Sequence, residues 1–190
     1  MPATTRPNEP TIEPSRHLSE TDLHQWLQTL ESQGYSNTVQ YLVARNIDGS
    51  RQVLHTATMD VDLGLVEDRW HLDPKRNPHE QIAAMSYPIA LGIANGQPLT
   101  LFGDGLFLDM DLAQIHIGQQ LRIAKCILEV TPEPHNPCSK FRNRFGHLAF
   151  QACLTHKDRH IRGIYLRVIQ SGAISIGDPI QVSNHDRTVS

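Results

Sequence analysis

Between Gln119 and Thr131 the apolar residues change parity: Leu121 and Ile123 share one face of an extended chain, and Cys126, Leu128 and Val130 share the other. Side chains on a β-strand alternate with period two, so no single strand can bury both sets. The segment must therefore fold back on itself, with a tight turn at Ala124-Lys125, although that pair lacks the glycine such turns prefer. The same period runs strictly through Leu106, Leu108, Met110 and Leu112, and again through Ile164, Leu166 and Val168. Val39, Tyr41 and Val43 alternate ahead of an Asp48-Gly49 turn, and a strand-like pattern continues from Val53 through Val61 to Gly64. Gln81 to Met85, Ala173 to Ile176, and Ile180 with Val182 supply further short strands. Many short strands separated by glycine turns predict a mainly β fold, a closed or partly open antiparallel β-barrel with short flanking α-helices.

Helical spacing is confined to a few places. Ser19 followed by Asp22 is a capping-box start, after which Leu23, Trp26, Leu27 and Leu30 recur on one face up to Gly34. Pro88 to Ala94 predicts a short helix ended by Gly96, and Leu148, Ala149, Ala152 and Cys153 form another apolar stripe. Pro98 to Phe102 reads as extended chain before a Gly103-Asp104-Gly105 turn, and Glu67 to Pro78 reads as an irregular loop. Four prolines within residues 1–16 predict a disordered arm. The expected organisation is that arm, an N-terminal helix over 17–36 packed on the barrel, a barrel domain over 37–183, and a tail over 184–190.

A chain of 190 residues with 17 basic and 20 acidic side chains, net charge -3, is not that of a general nucleic-acid binder. No apolar run approaches a membrane span and no signal-peptide core opens the sequence, so a cytoplasmic protein without a membrane partner is expected. The three cysteines, Cys126, Cys138 and Cys153, form no CxxC pair, which suits a reducing compartment. There is no Walker or dinucleotide glycine loop and no Gly-x-Ser-x-Gly elbow.

The chemistry-bearing stretch is Asn136 to Gly146. Asn136 reads as a helix cap and Pro137 as the first helical residue, which sets Cys138 in a first turn where free N–H groups and the helix dipole favour a thiolate. Lys140, Arg142 and Arg144 follow at every second position, Arg142 on the side of Cys138. Together they suit an anionic ligand beside a reactive or metal-ligating sulfur. The competing reading is an inert buried cysteine next to a solvated basic face. Cys126 and Cys153 lie in apolar patterns and read as core. A zinc-dependent hydrolase built on His135, Cys138 and two of His147, His156 and His160 is a third reading, although the spacing fits no compact zinc module. His71, beside Asp68 and Arg69, reads as a loop residue.

The run from about Phe102 to Val182 resembles the MOSC domain, the module at the C-terminus of molybdenum cofactor sulfurases. The matching pieces are Phe102-Gly103-Asp104-Gly105-Leu106, Ile117 to Ile123, Leu128 to Thr131, Pro137-Cys138, Arg162 to Val168, Gly172 and Gly177-Asp178. Leu65 to His71 and Gln81-Ile82 extend the likeness upstream, to roughly residues 38–183. The resemblance implies a stand-alone MOSC β-barrel in which Cys138 carries sulfur or ligates molybdenum. It implies binding of the molybdenum cofactor, with Arg69, Lys140, Arg142 and Arg144 holding the phosphate or pterin. The family is also associated with pyridoxal phosphate, but the lysine-bearing aminotransferase domain of the sulfurases has no counterpart in these residues. Implied activities are reduction of N-hydroxylated compounds with an electron-transfer partner protein, or sulfur handling; the alternative is a non-catalytic cofactor or sulfur carrier. The sequence departs from the family with Glu67 before Asp68-Arg69, Gly105 in place of Asn, and Ala124 in place of Gly.

Overall fold

The structure, a computed structural model, describes residues 10–183. The expected tail at 184–190 and residues 1–9 of the expected arm lie outside the described residues. The strands are β1 (Thr38–Arg45), β2 (Arg51–Leu54), β3 (Thr56–Asp60), β4 (Gly64–Leu65), β5 (Ile82–Ser86) and β6 (Leu106–Asp109). They continue with β7 (Gln120–Ile123), β8 (Cys126–Val130), β9 (Ile164–Gln170), β10 (Gly172–Ser175) and β11 (Ile180–Ser183). The α-helices are α1 (Glu20–Thr29), α2 (Tyr87–Ala94) and α3 (Ser139–Thr155).

Eight strands form one curled sheet in the order β11-β7-β8-β9-β5-β6-β1-β2, and β10-β3-β4 form a smaller one. The ends of the large sheet, β11 and β2, do not pair, so the structure is the open form of the expected barrel, a half-barrel. Every neighbouring pair is antiparallel except β5 and β6. That exception follows from connectivity: the chain between them runs through α2, and a helical crossover returns it in the same direction.

The hairpin demanded by the parity change is present. Ile123 faces Cys126 and Leu121 faces Leu128, so Ala124-Lys125 is a two-residue connection. Ala124 takes the left-handed conformation the turn requires, φ 50°, a conformation that disfavours any residue with a Cβ.

Two apolar layers result. The first lies between the sheets: Met59 and Ile174 of the small sheet meet Leu42, Leu106, Leu128 and Leu166 of the large one. The second lies on the other face of the large sheet. There Val43, Met85 and Phe107 meet α2 through Ile89 and Ile93, and α3 through Phe141 and Phe145. The simple alternation expected of Val39, Tyr41 and Val43 fails because β1 carries a bulge between Val39 and Tyr41. Val39 consequently joins the first layer while Val43 joins the second, the face switch a one-residue slip produces.

The helix α1 begins with a full capping box, the Ser19 hydroxyl oxygen accepting from Asp22 N–H and the Asp22 carboxylate accepting from Ser19 N–H. It ends at Thr29, ahead of Gly34, and its Leu23, Trp26 and Leu27 pack on the second layer. Leu99–Leu101, expected as extended chain, makes a short 3-10 turn, as do Arg69–Leu72 and Pro78–Glu80 within or beside the expected loop.

Candidate functional site

The segment after β8 places Cys138. Helix α3 starts at Ser139, so Cys138 is the residue capping it, with extended backbone (φ -104°, ψ 174°), and not a member of the first turn. Its carbonyl accepts the first helical hydrogen bond, from Arg142 N–H at 3.1 Å. The expected start at Pro137 is therefore displaced by two residues. Where the helix begins is fixed by packing: Phe141 and Phe145 must both reach Phe102, whose ring stacks on Phe145 at 4.1 Å between centroids. Cys138 is a free, exposed thiol, whereas Cys126 and Cys153 are buried and free. Burial pushes both of those thiols up to about 12, which keeps them protonated and unreactive.

Gly146 breaks α3 in two, with φ 88° and ψ 172°. A Cβ there would stand 2.9 Å from the His17 ring and Cβ. Beside the break two side chains reach the Arg144 carbonyl: Gln97 Nε2 donates to it at 3.2 Å and His17 Nε2 lies 3.2 Å from it. The half of α3 that carries Cys138 is thus tied to the N-terminal segment and to the turn after α2.

Beside Cys138 lies a cavity of about 370 Å³. Its wall carries six cationic side chains, Arg45, Arg51, Arg69, Lys140, Arg144 and Arg162, together with Leu101, Phe102, Gly103, Phe141 and Phe145. None of its described lining residues is acidic. Concentrating six cations in one concavity of a chain with net charge -3 defines an anion-attracting site. Arg69, Lys140 and Arg144 of the expected binding set line it; Arg142 is exposed and does not. The reason is helical geometry, since Phe141 and Phe145 turn toward the core and carry Arg144 inward, while Arg142 projects away from that face.

Three of the arginines could not be assigned from spacing. Arg45 ends β1, Arg51 begins β2, and Arg162 immediately precedes Gly163 and β9. The Asp68-Arg69 piece of the resemblance explains the first. Asp68, only 4% exposed, takes a two-pronged bond from Arg45, Nε to Oδ2 at 2.8 Å and Nη2 to Oδ1 at 2.7 Å, and also accepts from Trp70 N–H at 2.8 Å. Burial opposes ionisation of Asp68, but the bonds and charge of Arg45 prevail and hold its carboxyl below the usual range. Arg162 is fixed in the same manner by Asp104, its Nη1 donating to both carboxylate oxygens at 2.9 and 2.8 Å. Arg144 Nη1 donates to the Leu101 carbonyl at 2.8 Å.

Behind Arg162 sits His135, its ring tilted 35° against Tyr165 at 4.2 Å between centroids, with Nδ1 3.6 Å from the Asp104 carboxylate. Burial first, then the Arg162 charge, push its pKa down to about 3, with Asp104 opposing. His135 is therefore neutral. Among the described residues no group of three or more His, Cys, Asp or Glu side chains is placed to hold a metal ion, so the zinc set of His135, Cys138 and later histidines is not assembled. His71 does not line the cavity beside Cys138; with Leu72 and Glu67 it lines an opening of about 450 Å³ that shares Arg45 and Arg69 with it. A larger opening of about 750 Å³, lined by Trp70, Lys75 and Arg76, shares Arg45 and Arg69 with the thiol's cavity.

An open half-barrel of two sheets, with helices over the outer face of the larger sheet and a cysteine capping one of them, defines the structural class. Within that class, residues 88–181 match the model of the MOSC domain, and the chain belongs to the MOSC family. Solved structures agree on the fold. The YuaD protein of Bacillus subtilis superposes with a TM-score of 0.58 at 20% identity, covering 78% of this chain and 96% of that one. YiiM of Escherichia coli gives 0.55 at 19% identity, over 78% of this chain and 70% of that one. YiiM of Geobacillus stearothermophilus gives 0.55 at 17% identity, over 79% and 77%. No curated protein sequence matches the chain. Among the described residues no helix is long and apolar enough to cross a membrane.

Proposed function

We propose that the chain binds the molybdenum cofactor, a phosphorylated pterin, in the cavity beside Cys138 and serves reduction of N-hydroxylated compounds with electrons from a separate donor. The observation that carries this reading is the juxtaposition of one exposed thiol with six cations and no acid in a single cavity. The donor set fits the group on both counts. A thiolate is a soft ligand of the kind that suits a heavier transition metal, and arginines pair with phosphate oxygens through charge-assisted bonds.

In this reading Cys138 holds the metal, and Arg69, Lys140, Arg144, Arg45, Arg51 and Arg162 hold the pterin and phosphate. When bound, the cofactor supplies the change of oxidation state that the side chains lack. The chain's own part is to bind and orient. Its cations offset the cofactor's negative charge, and Phe102, Phe141 and Phe145 give the cavity a dry aromatic wall. Pyridoxal phosphate fits less well. Capturing its aldehyde takes a lysine amine, and the described lining residues offer one, Lys140, which is exposed.

Burial separates the three thiols, which makes the reading testable with a thiol reagent. Protein made in a host unable to synthesise the cofactor should show one fast-reacting thiol, absent in Cys138→Ser, because Cys126 and Cys153 are buried. Protein from a cofactor-producing host should show that fast phase suppressed at least about tenfold. Equal reactivity from both hosts would sink the reading.

A further inference from the structure

We propose that the face bearing Ile47, Leu72, Lys75 and Arg76 is the docking surface for the electron donor, a small carrier protein with an acidic surface; this deepens the reduction reading and rests on it. None of these four side chains lines the cavity beside Cys138, yet they border it. Ile47 lies in the turn between β1 and β2, and the other three lie in and just after the 3-10 turn Arg69–Leu72, so two distant segments build the face. Ile47 is 75% exposed and Leu72 52%. Both line the opening of about 750 Å³ that shares Arg45 and Arg69 with the thiol's cavity, and both line the neighbouring opening of about 450 Å³. Two exposed aliphatic side chains on one rim form an apolar contact patch.

The charge around that patch selects the partner. Lys75 and Arg76 are exposed and add two cations to the six of the thiol's cavity. The turn that presents them is ordered. Asp73 Oδ1 accepts from Lys75 N–H at 2.9 Å, the Asp73 carbonyl accepts from Arg76 N–H at 3.0 Å, and the Arg76 guanidinium lies 5.7 Å from the Trp70 ring centroid. Two acids, Asp73 and Glu80, share the larger opening. Eight cations against two acids make this face positive in a chain of net charge -3. An acidic carrier is therefore repelled by the rest of the surface and drawn to this side, which orients it toward the thiol's cavity before contact. A small apolar centre ringed by charge suits a transient interface, where a carrier must bind, give up its electron and leave. A nucleic acid takes its affinity from the cations and has no need of Ile47 and Leu72. Cleaving the N–O bond of an N-hydroxylated compound, to give the N–H compound and water, consumes two electrons and two protons. Two reduced carriers in turn each give up one electron, and the protons come from solvent.

The probe is a flavodoxin, an acidic one-electron carrier whose flavin reports binding. Oxidised flavodoxin titrated into the full chain should bind saturably, and raising the salt from about 0.05 to about 0.5 M should weaken binding at least about tenfold. Lys75→Glu/Arg76→Glu should weaken it at least about tenfold at low salt, and Ile47→Ser/Leu72→Ser at least about threefold at either salt concentration. All four side chains are exposed, so the fold tolerates both changes. Driven by dithionite, which needs no docking surface, molybdenum-loaded variants should reduce an N-hydroxylated compound at the wild-type rate. Driven by reduced flavodoxin, the charge-reversed variant should need at least about tenfold more carrier for half-maximal rate. Flavodoxin binding within about twofold of wild type in the charge-reversed protein would overturn the proposal. So would a wild type that binds no flavodoxin, or that binds a single-stranded oligonucleotide more tightly. A wild type that reduces no N-hydroxylated compound with dithionite loses the reduction reading, and the binding titrations then judge the surface separately.

Discussion

Substituting alanine at Gly163 is expected to destabilise the protein by roughly 3–5 kcal/mol, an amount that unfolds a domain of ordinary stability or leaves it marginal. Two independent effects add. Gly163 has φ 95°, a backbone region closed to residues with a Cβ at a cost of about 1–2 kcal/mol. The added methyl would also overlap the Ala84 carbonyl oxygen and stand 2.9 Å from Met85 Cγ. Neither neighbour can yield cheaply. Ala84 is in β5, where it pairs with Ile164 of β9, and Met85 is fully buried in the second apolar layer. Relief would require parting β9 from β5 in the middle of the large sheet. Because Gly163 directly follows Arg162, the same displacement would move the arginine off Asp104. Equilibrium urea unfolding of Gly163→Ala against wild type checks this; a loss under about 1 kcal/mol would contradict the close packing described for this crossing.

Acid should destabilise the protein well above the range in which its carboxylates protonate, and His135 should be the main cause. In the folded chain burial holds this imidazole neutral, with a pKa of about 3; in the unfolded chain it titrates near about 6.5. Between these values the unfolded state binds a proton that the folded state does not. Stability is therefore complete above pH ~6.5 and falls as pH decreases, by about 1.4 kcal/mol per pH unit. At pH ~4.5 the loss reaches roughly 2–3 kcal/mol. His160, whose pKa burial also lowers, adds to the slope with the same sign. Asp68 acts at lower pH: its depressed pKa contributes stability above its unfolded value near 3.8 that disappears only as pH falls below it. Unfolding free energies between pH 4.5 and 7.5 for wild type and His135→Phe isolate the term. Phenylalanine keeps a ring against Tyr165 and cannot take a proton, so its profile should be flatter by most of that loss. Parallel profiles would show that His135 is protonated in the native protein.

What could be read from the sequence was what neighbouring residues decide among themselves. The parity change between Ile123 and Cys126 is a local contradiction that only a hairpin resolves, and the hairpin is there even without a glycine at Ala124. Ser19 and Asp22 specify their cap across a single turn. Less was legible wherever distant segments meet. The parallel pairing of β5 with β6 depends on how α2 crosses the sheet, and no local pattern in either strand encodes it. Pro137 suits a first helical position, yet α3 starts two residues later, at Ser139. The aromatic contacts of Phe141 and Phe145 with Phe102 set the helix two residues further on.

The cavity shows the same division. Lys140 and Arg144 are legible because they lie in the helix that Cys138 caps, and Arg69 because it stands in a motif-like triplet. Arg45, Arg51 and Arg162 come from three other places in the chain and carry no local mark of where they will point. Arg142 looked equivalent to its neighbours in spacing, and only the inward turn of Phe141 and Phe145 separates it from them. A buried carboxylate paired with an arginine, as in Asp68–Arg45 and Asp104–Arg162, is likewise a product of the fold.

The central claim is that Cys138 and the cations around it hold the molybdenum cofactor. Its most direct test is the molybdenum content of protein purified from a cofactor-producing host, wild type beside Cys138→Ser. The exposed position of Cys138 at the cap of α3 makes serine a mild change for the fold, so the comparison reports on the ligand. The account predicts close to about one molybdenum per chain in wild type and a loss of at least about tenfold in the variant. Equal molybdenum in the two proteins, or none in either, would contradict it.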